Sequence, residues 1–385
     1  MVKHRFILIL LSAFLAVFLL YGCGQIQELE AVKDSKATDG PTVFVDADFE
    51  GTESNGTQQF PYTTIQAAID AARSGQTVFV KSMVDPLSVY KERLIINKNV
   101  NLQGDGNTKI EVELAAGDPV LIRGMIIFDG AEACGSISGF EISHSDFNDG
   151  SGIICKNGAA PNIHGNKIWS NLNGVLIMYG AHPTIENNNF DDNEYAVYIN
   201  GSAENYTNIY NNKIMNSRDP LDFENWSAIV MDSGSRANIC NNTFFQNTRA
   251  IYFCQSNSIG NINNNIFVDN RAGSFSTVCY LASSRCTANI YNNIFDNNKK
   301  GIVASATGTV YLHYNSFSRN DTDYNSFVTN TSNIFAIIPQ YTDTMNYTVT
   351  NISAFAEKGS PSSNFNDRNG SRCDLGVFGG PNSLN

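Results

Sequence analysis

The sequence predicts an all-β chain wound into a parallel β-helix, a single-stranded solenoid of about ten rungs with a short capping helix at its N-terminal end. Three observations carry that expectation. Between residues 162 and 317 one phrase recurs seven times: an aliphatic residue, Asn three positions later, and an aliphatic residue or Phe two beyond that. The copies are Ile163/Asn166/Ile168, Ile185/Asn188/Phe190, Ile209/Asn212/Ile214, Ile239/Asn242/Phe244, Ile262/Asn265/Phe267, Ile290/Asn293/Phe295 and Leu312/Asn315/Phe317. Their Asn positions lie 22, 24, 30, 23, 28 and 22 residues apart, the period of stacked supersecondary units. Each of the first six copies is followed about ten residues later by a second apolar run, such as Val175-Leu176-Ile177, Val197-Tyr198-Ile199 or Ile251-Tyr252-Phe253. Runs of this kind, broken by Asn, Gly and Ser, read as short strands, and helical periodicity is absent throughout. A leucine-rich repeat has a similar period but needs a Leu-x-x-Leu-x-Leu pattern that the chain lacks.

At the N-terminus, Lys3, His4 and Arg5 precede a largely apolar stretch at residues 6–20. Residues 1–22 read as a signal peptide, too short and wrongly flanked to span a bilayer. The ending Leu20-Tyr21-Gly22-Cys23 resembles a bacterial lipobox, although Tyr21 is not the usual small residue. That resemblance implies that Cys23 is the lipidated first residue of an exported chain held at the cell envelope or outer membrane. Polar residues 23–41 read as the tether, and residues 42–381 as the β-helix. Within it, a helix is expected in residues 62–75. Thr63 and Gln66 form a capping box, Ile65, Ala68, Ile69 and Ala72 one apolar stripe, and Gly75 a stop. Its task is to cover the open edge of the first rung. Residues 76–160 then hold the first rungs, with strands at 94–96 and 100–102 and with Phe140 in the Asn slot. Residues 161–320 hold the Asn rungs, and 321–385 the last rungs and cap.

Three stretches look like the opening of right-handed parallel β-helix proteins of the pectin-lyase-like superfamily: YTTIQAAIDAA at 62–72, QTVFV at 76–80 and LIINKNVNLQGDG at 94–106. GIICKNGAAPNIHGN at 152–166 resembles rungs of bacterial surface β-helix repeat proteins in that group, and DRNGSRCDLGVFGGP at 367–381 resembles their ending. The resemblance implies a right-handed coil and says little about activity. The Val-Trp-Ile-Asp-His-like segment and downstream Arg motif of pectate lyases are missing. Of the polygalacturonase segments only Asp191-Asp192 has an echo. No family catalytic residue carries over.

In such a coil each repeated Asn sits at a bend between strands, where it tolerates a left-handed backbone. Stacked at about 4.8 Å, its amide bonds to those above and below. Asn166, Asn188, Asn212, Asn242, Asn265, Asn293 and Asn315 are therefore structural.

The net charge is −12. Removing residues 1–22 takes away Lys3 and Arg5 and no acid, leaving 23 basic against 37 acidic residues, or −14. This disfavours nucleic acid and anionic membrane surfaces as partners, leaving the lipid anchor as the membrane contact. The seven cysteines beyond Cys23 are an odd number, so at least one stays unpaired within the chain. Cys279 and Cys286 bracket one loop and are the best candidate pair. No Cys/His spacing of a zinc site is present, and His144, His164, His182 and His313 share no register.

Two rungs are oversized: Asn212 to Asn242 and Asn265 to Asn293. The first inserts residues 218–226. With its neighbours it would gather Asp191, Asp192, Glu194, Asp222 and Glu224 into one acidic patch edged by Arg218 and Arg249. The acids could be solvated loop residues. They could instead be an acid–base pair about 6.5–9.5 Å apart around a water, as in inverting glycoside hydrolysis. A third reading is a Ca²⁺-assisted lyase site in which Arg218 or Arg249 draws off the proton. Tyr198 and Tyr252, with Trp226 nearby, would face outward and stack on sugar rings. The first expectation is thus an envelope-anchored protein that binds or presents at the surface, with polysaccharide as ligand. The alternatives are a lyase or hydrolase acting on acidic glycans, and an adhesin or structural surface protein.

Overall fold

A computed structural model describes residues 40–112, 123–144, 150–201, 205–217, 226–274, 276–332, 334–343 and 347–383. The signal peptide, Cys23 and most of the tether lie outside the described residues, as do Arg218, Asp222 and Glu224. The chain is a parallel β-solenoid with three faces. In the Asn rungs the first face runs from Asn162–His164 through Thr184–Glu186, Thr207–Tyr210, Arg236–Cys240, Ile259–Asn263 and Thr287–Tyr291 to Thr309–His313. The second face is Lys167–Trp169, Asn189–Asp191, Lys213–Met215, Thr243–Phe245, Ile266–Val268, Ile294–Asp296 and Ser316–Ser318. The third is a ten-stranded sheet from Leu94–Ile96 to Thr322–Tyr324.

Strand alternation sends one set of side chains inward on every rung, and the register stacks like on like. Ile163, Ile185, Ile209, Ile239, Ile262, Ile290 and Leu312 form one interior column. Another ends in a stack of rings, with Phe244 to Phe267 and Phe267 to Phe295 both 4.9 Å between centroids, and Phe295 to Phe317 4.5 Å. The helix Ile65–Ala71 buries Ile65, Ala68 and Ile69 at the N-terminal end. It is shorter than expected, and no side chain caps it from within. Instead Glu92 reaches across, its two carboxylate oxygens accepting from the Ile65 and Gln66 amides at 2.8 and 3.0 Å. A carboxylate there also suits the positive end of the helix.

The seven Asn stand in one column between the first and second faces. Asn242 shows the pattern. Its backbone N–H and Nδ2 donate to Asn265 Oδ1 (2.9 and 3.1 Å), and Nδ2 also donates to the Ile209 and Cys240 carbonyls (2.8 and 3.0 Å). The left-handed residue of each bend is not the ladder Asn but the one before it: Gly165, Asn187, Asn211, Asn241, Asn264, Asn292 and Tyr314 all have φ between 54° and 63°. Tight turning falls to the first residue of each pair, and the ladder Asn keeps its side chain free to point inward. Phe140 fills the Asn slot one rung earlier, where its N–H donates to Asn166 Oδ1 at 3.1 Å.

A second ladder lines the bend between the second and third faces. Asn171 donates to Asn193 Oδ1, and Asn247, Asn270, Asn298 and Asn320 bond in series at 2.9–3.0 Å between side chains. Each member lies five residues after a first-ladder Asn. The series breaks at Ser217, which is fully buried and whose Oγ has no hydrogen-bond partner. Ser217→Asn is expected to restore the column between Asn193 and Asn247 and to raise stability by about 1–2 kcal/mol. An unchanged or lower denaturation midpoint would show that the oversized rung cannot accept the amide.

Residues 335–343 and 347–383 fold back as a strap across the outside of the second face. Outward residues of that face begin polar and turn apolar where the strap lies. Phe245, Ile266, Val268 and Ile294 pack there with Tyr347, Val349, Phe355 and Leu375. The left-handed Asn row grips the strap: Asn292, Asn264, Asn241 and Asn211 bond in turn to Ser360 and Cys373, to Cys373 through Gly376, to Val377 and Gly379, and to Asn382. The seven cysteines of the described residues are all unbridged. This corrects the expected Cys279–Cys286 pair: Cys279 pairs in register with the interior residues Ile251 and Ile302, while Cys286 Sγ donates to the Gln255 carbonyl at 3.0 Å.

Candidate functional site

The third face has one outward column that runs Ile95, Ile127, Ile154, Leu176, Tyr198, Val230, Tyr252, Tyr280, Val303. Its first part is aliphatic, and Ile127, Ile154, Leu176 and Met178 are buried as a cluster with Tyr198 against it. From Tyr198 to Tyr280 the column carries three tyrosines with Val230 among them, across the rungs that flank the larger insertion. Tyr198 and Tyr252 share a strand position two rungs apart, as the sequence suggested, and Tyr280 extends the series.

The rings do not offer their faces to a ligand as expected. Tyr252 and Tyr280 stack on each other, 5.5 Å between centroids and 12° from parallel. The Arg249 guanidinium lies 4.8 and 5.4 Å from the same two rings. Arg249 is only 6% exposed, which suits a weakly hydrated planar cation on aromatic surface. Tyr195 meets Tyr198 edge-on at 5.4 Å. The Tyr198 hydroxyl donates to Asp232 Oδ2 at 2.8 Å, and Ser233 Oγ donates to Asp232 Oδ1 at 2.9 Å. What this face presents is a strip of ring edges and phenol groups beside a nearly buried Arg and a nearly buried Asp.

Burial, and then the neighbouring acids, push the phenols of Tyr195 and Tyr198 well above the usual tyrosine range. Burial chiefly, with Asp232 beside it, pushes the Cys254 thiol up to about 12. These groups therefore stay protonated at neutral pH. They serve as hydrogen-bond donors rather than as bases or nucleophiles, which need lowered values.

Of the expected acidic patch, Asp191, Asp192 and Glu194 lie at the second bend, while Asp222, Glu224 and Arg218 lie outside the described residues. Asp191 is the last residue of a second-face strand, and its Oδ1 accepts from Asn216 Nδ2 at 2.7 Å. Asp192 is the left-handed corner residue, φ 53°. Glu194 lies beyond the corner beside Tyr195, and half-buried Trp226 precedes the third-face strand Ser227–Asp232. Glu194 cannot pair with Asp232. The register sets Asn200 against Asp232, so six residues of extended strand, roughly 20 Å, separate their positions along the face. Glycoside hydrolysis requires carboxylates within about 10 Å. Among the described residues no group of three or more His, Cys, Asp or Glu side chains could hold a metal ion. Tyr195, Asp232 and Tyr280 were not singled out from the sequence, though Tyr280 is the register partner of Tyr252 one rung on.

Three parallel faces and stacked interior columns define a parallel β-solenoid. A family model described as the right handed beta helix region matches residues 89–221 and 205–321, and the chain belongs to that family. Among solved structures it is similar to pectate lyase Pel9A, at 12% identity and a TM-score of 0.56, with 89% of this chain and 97% of that one covered. Weaker likenesses are the ORF18 protein of Geobacillus virus E2 (14% identity, TM-score 0.43, 81% of this chain and 62% of that one) and pectin methylesterase from carrot (13%, 0.41, 78% and 89%). No curated protein matches the sequence. At these identities the likeness is one of fold.

Proposed function

We propose that the chain is an exported, lipid-anchored glycan-binding protein that uses the aromatic strip of its third face to hold polysaccharide at the cell envelope. The observation that carries this reading is the Arg249–Tyr252–Tyr280 stack in line with Tyr198 and Asp232. Ring edges and phenol hydroxyls recur along the solenoid axis beside the Arg249 guanidinium, an arrangement that suits a ligand of repeating hydroxylated units. A shared fold does not transfer an activity, so the pectate lyase likeness makes acidic polysaccharide the first ligand to test and nothing more. Binding is favoured over turnover because the phenols and the thiol are held protonated and the two described acids of the strip lie far apart.

The test is retention of the full chain on immobilised glycans, polygalacturonate and neutral polymers side by side, with reducing ends and unsaturated ends assayed in the same tubes. Binding without product is expected, with affinity lowered about tenfold by Arg249→Ala or Tyr280→Ala. Glycan cleavage by the wild-type chain would replace the binding reading with the enzymatic one. Silence on every glycan would sink both and leave the adhesin. The anchor is checked separately: the Cys23→Ser chain should move to the aqueous phase on detergent phase separation, and a wild-type chain already found there would remove the lipid from the proposal.

A further inference from the structure

The first face carries a third amide column, and this one points outward. Asn208, Asn238, Asn261 and Asn289 stand in register. The Nδ2 of Asn238, Asn261 and Asn289 donates to the Oδ1 one rung before, at 2.9, 2.9 and 2.8 Å. All four are half-buried. A primary amide has two N–H groups and two acceptor lone pairs. The column uses one N–H on each of Asn238, Asn261 and Asn289, and leaves the other N–H outside the ladder. The result is a fixed row of donors and acceptors repeating at about the 4.8 Å rung spacing.

The row does not lie on open surface. The strap passes alongside and makes it one wall of a groove of about 520 Å³, lined by Asn238, Asn261, Asn263, Asn289, Tyr291, Ser360, Ser362 and Phe365. Phe365 stacks on Tyr291, 5.4 Å between centroids and 17° from parallel, closing one end with an aromatic wall. Ser360 is pinned to the solenoid through its N–H, which donates to Asn292 Oδ1 at 2.8 Å. Asn263 Oδ1 faces no hydrogen-bond donor stronger than the thiol of Cys240. In a chain of net charge −12, none of the eight lining residues is charged.

We propose that this groove is a binding subsite for an uncharged linear glycan, running along the solenoid axis and separate from the third-face strip. Amide side chains pair with the hydroxyls of a sugar through an N–H and a carbonyl on one group. A ladder fixes those groups before the ligand arrives, so little ordering cost remains at binding. The lack of lining charge removes the attraction that would select a uronate polymer. An extended peptide, which would take apolar pockets at alternate positions, is the competing occupant that the titration separates.

The experiment is calorimetric titration of the full chain with cellohexaose, mannohexaose and xylohexaose, with an oligogalacturonate and an extended peptide as controls. Ser362→Trp fills the groove from an exposed strap position without touching the ladder. Asn261→Leu removes the central amide. At least one neutral hexasaccharide should bind, and either variant should weaken it roughly tenfold, the loss that accompanies a pair of hydrogen bonds. Arg249→Ala and Tyr280→Ala should leave that affinity unchanged, so the third-face reading can fail without this one. The proposal is overturned if none of the three binds, if Ser362→Trp leaves binding intact, or if the oligogalacturonate or peptide binds more tightly in the same groove.

Discussion

Replacing Asn242 with Ala is expected to destabilise the chain by about 3–5 kcal/mol, the sum for several buried hydrogen bonds lost and one buried N–H left without its acceptor. Asn242 Oδ1 accepts from the Asn212 N–H and Nδ2 at 2.9 and 3.0 Å, and its own Nδ2 serves two carbonyls and the next amide. Ala leaves the Asn212 backbone N–H buried without its acceptor and takes a donor from the Ile209 carbonyl, while Asn212 Nδ2 keeps the Ile185 and Tyr210 carbonyls. Asp would not rescue the site, since a carboxylate donates nothing to the Ile209 carbonyl. Asn238→Ala, in the outward column, should cost under about 1 kcal/mol because water replaces the lost bond. Denaturant unfolding of the two variants decides the matter. Equal, mild losses would mean that the inner ladder follows the packing rather than holding it.

Ending the chain at residue 334 should have a still larger effect. It would bare Phe245, Ile266, Val268 and Ile294 on the outside of the second face. At about 1.5–3 kcal/mol for each large apolar side chain, that is on the order of 10 kcal/mol of burial, comparable with the whole stability of a typical domain. An exposed apolar surface of this kind on a sheet also favours association. The shortened chain should therefore run as aggregate in light-scattering chromatography and bind a hydrophobic dye. A monodisperse monomer with the full-length melting temperature would show that the strap is an ornament.

The coil was legible because its rule is local. One Ile, one Asn and one Phe at fixed offsets specify the interior columns, and Ile163 or Phe267 lands where the period puts it. The second ladder was equally local, five residues after the first, but Ser217 interrupts it and abundant Asn elsewhere hides it. What could not be read was everything that depends on contacts across the fold. The capping box of Thr63 and Gln66 was a sound local pattern, yet Glu92 from the next rung supplies the carboxylate instead. Asp191 and Glu194 are three residues apart, but Asp191 ends a second-face strand and Glu194 lies past left-handed Asp192 at the bend. The apolar outward residues Ile266 and Ile294 look like interior strand positions until the strap is seen to cover them. The stacking of Tyr252 on Tyr280 follows from register, but the seat of Arg249 over both rings does not.

The strap meets the coil in reverse order: residues near 360 hold the rung of Asn292, and Asn382 reaches back to Asn211. Its last residues are therefore attached farthest from where it leaves the coil. A pull on the C-terminal end, against an N-terminal end held fast, would unzip the attachments singly, from Asn211 to Asn241 to Asn264 to Asn292. Tension would be shed through many weak ruptures in sequence before the stacked rungs bore any load. A chain pulled from its two ends would thus carry its own shock absorber.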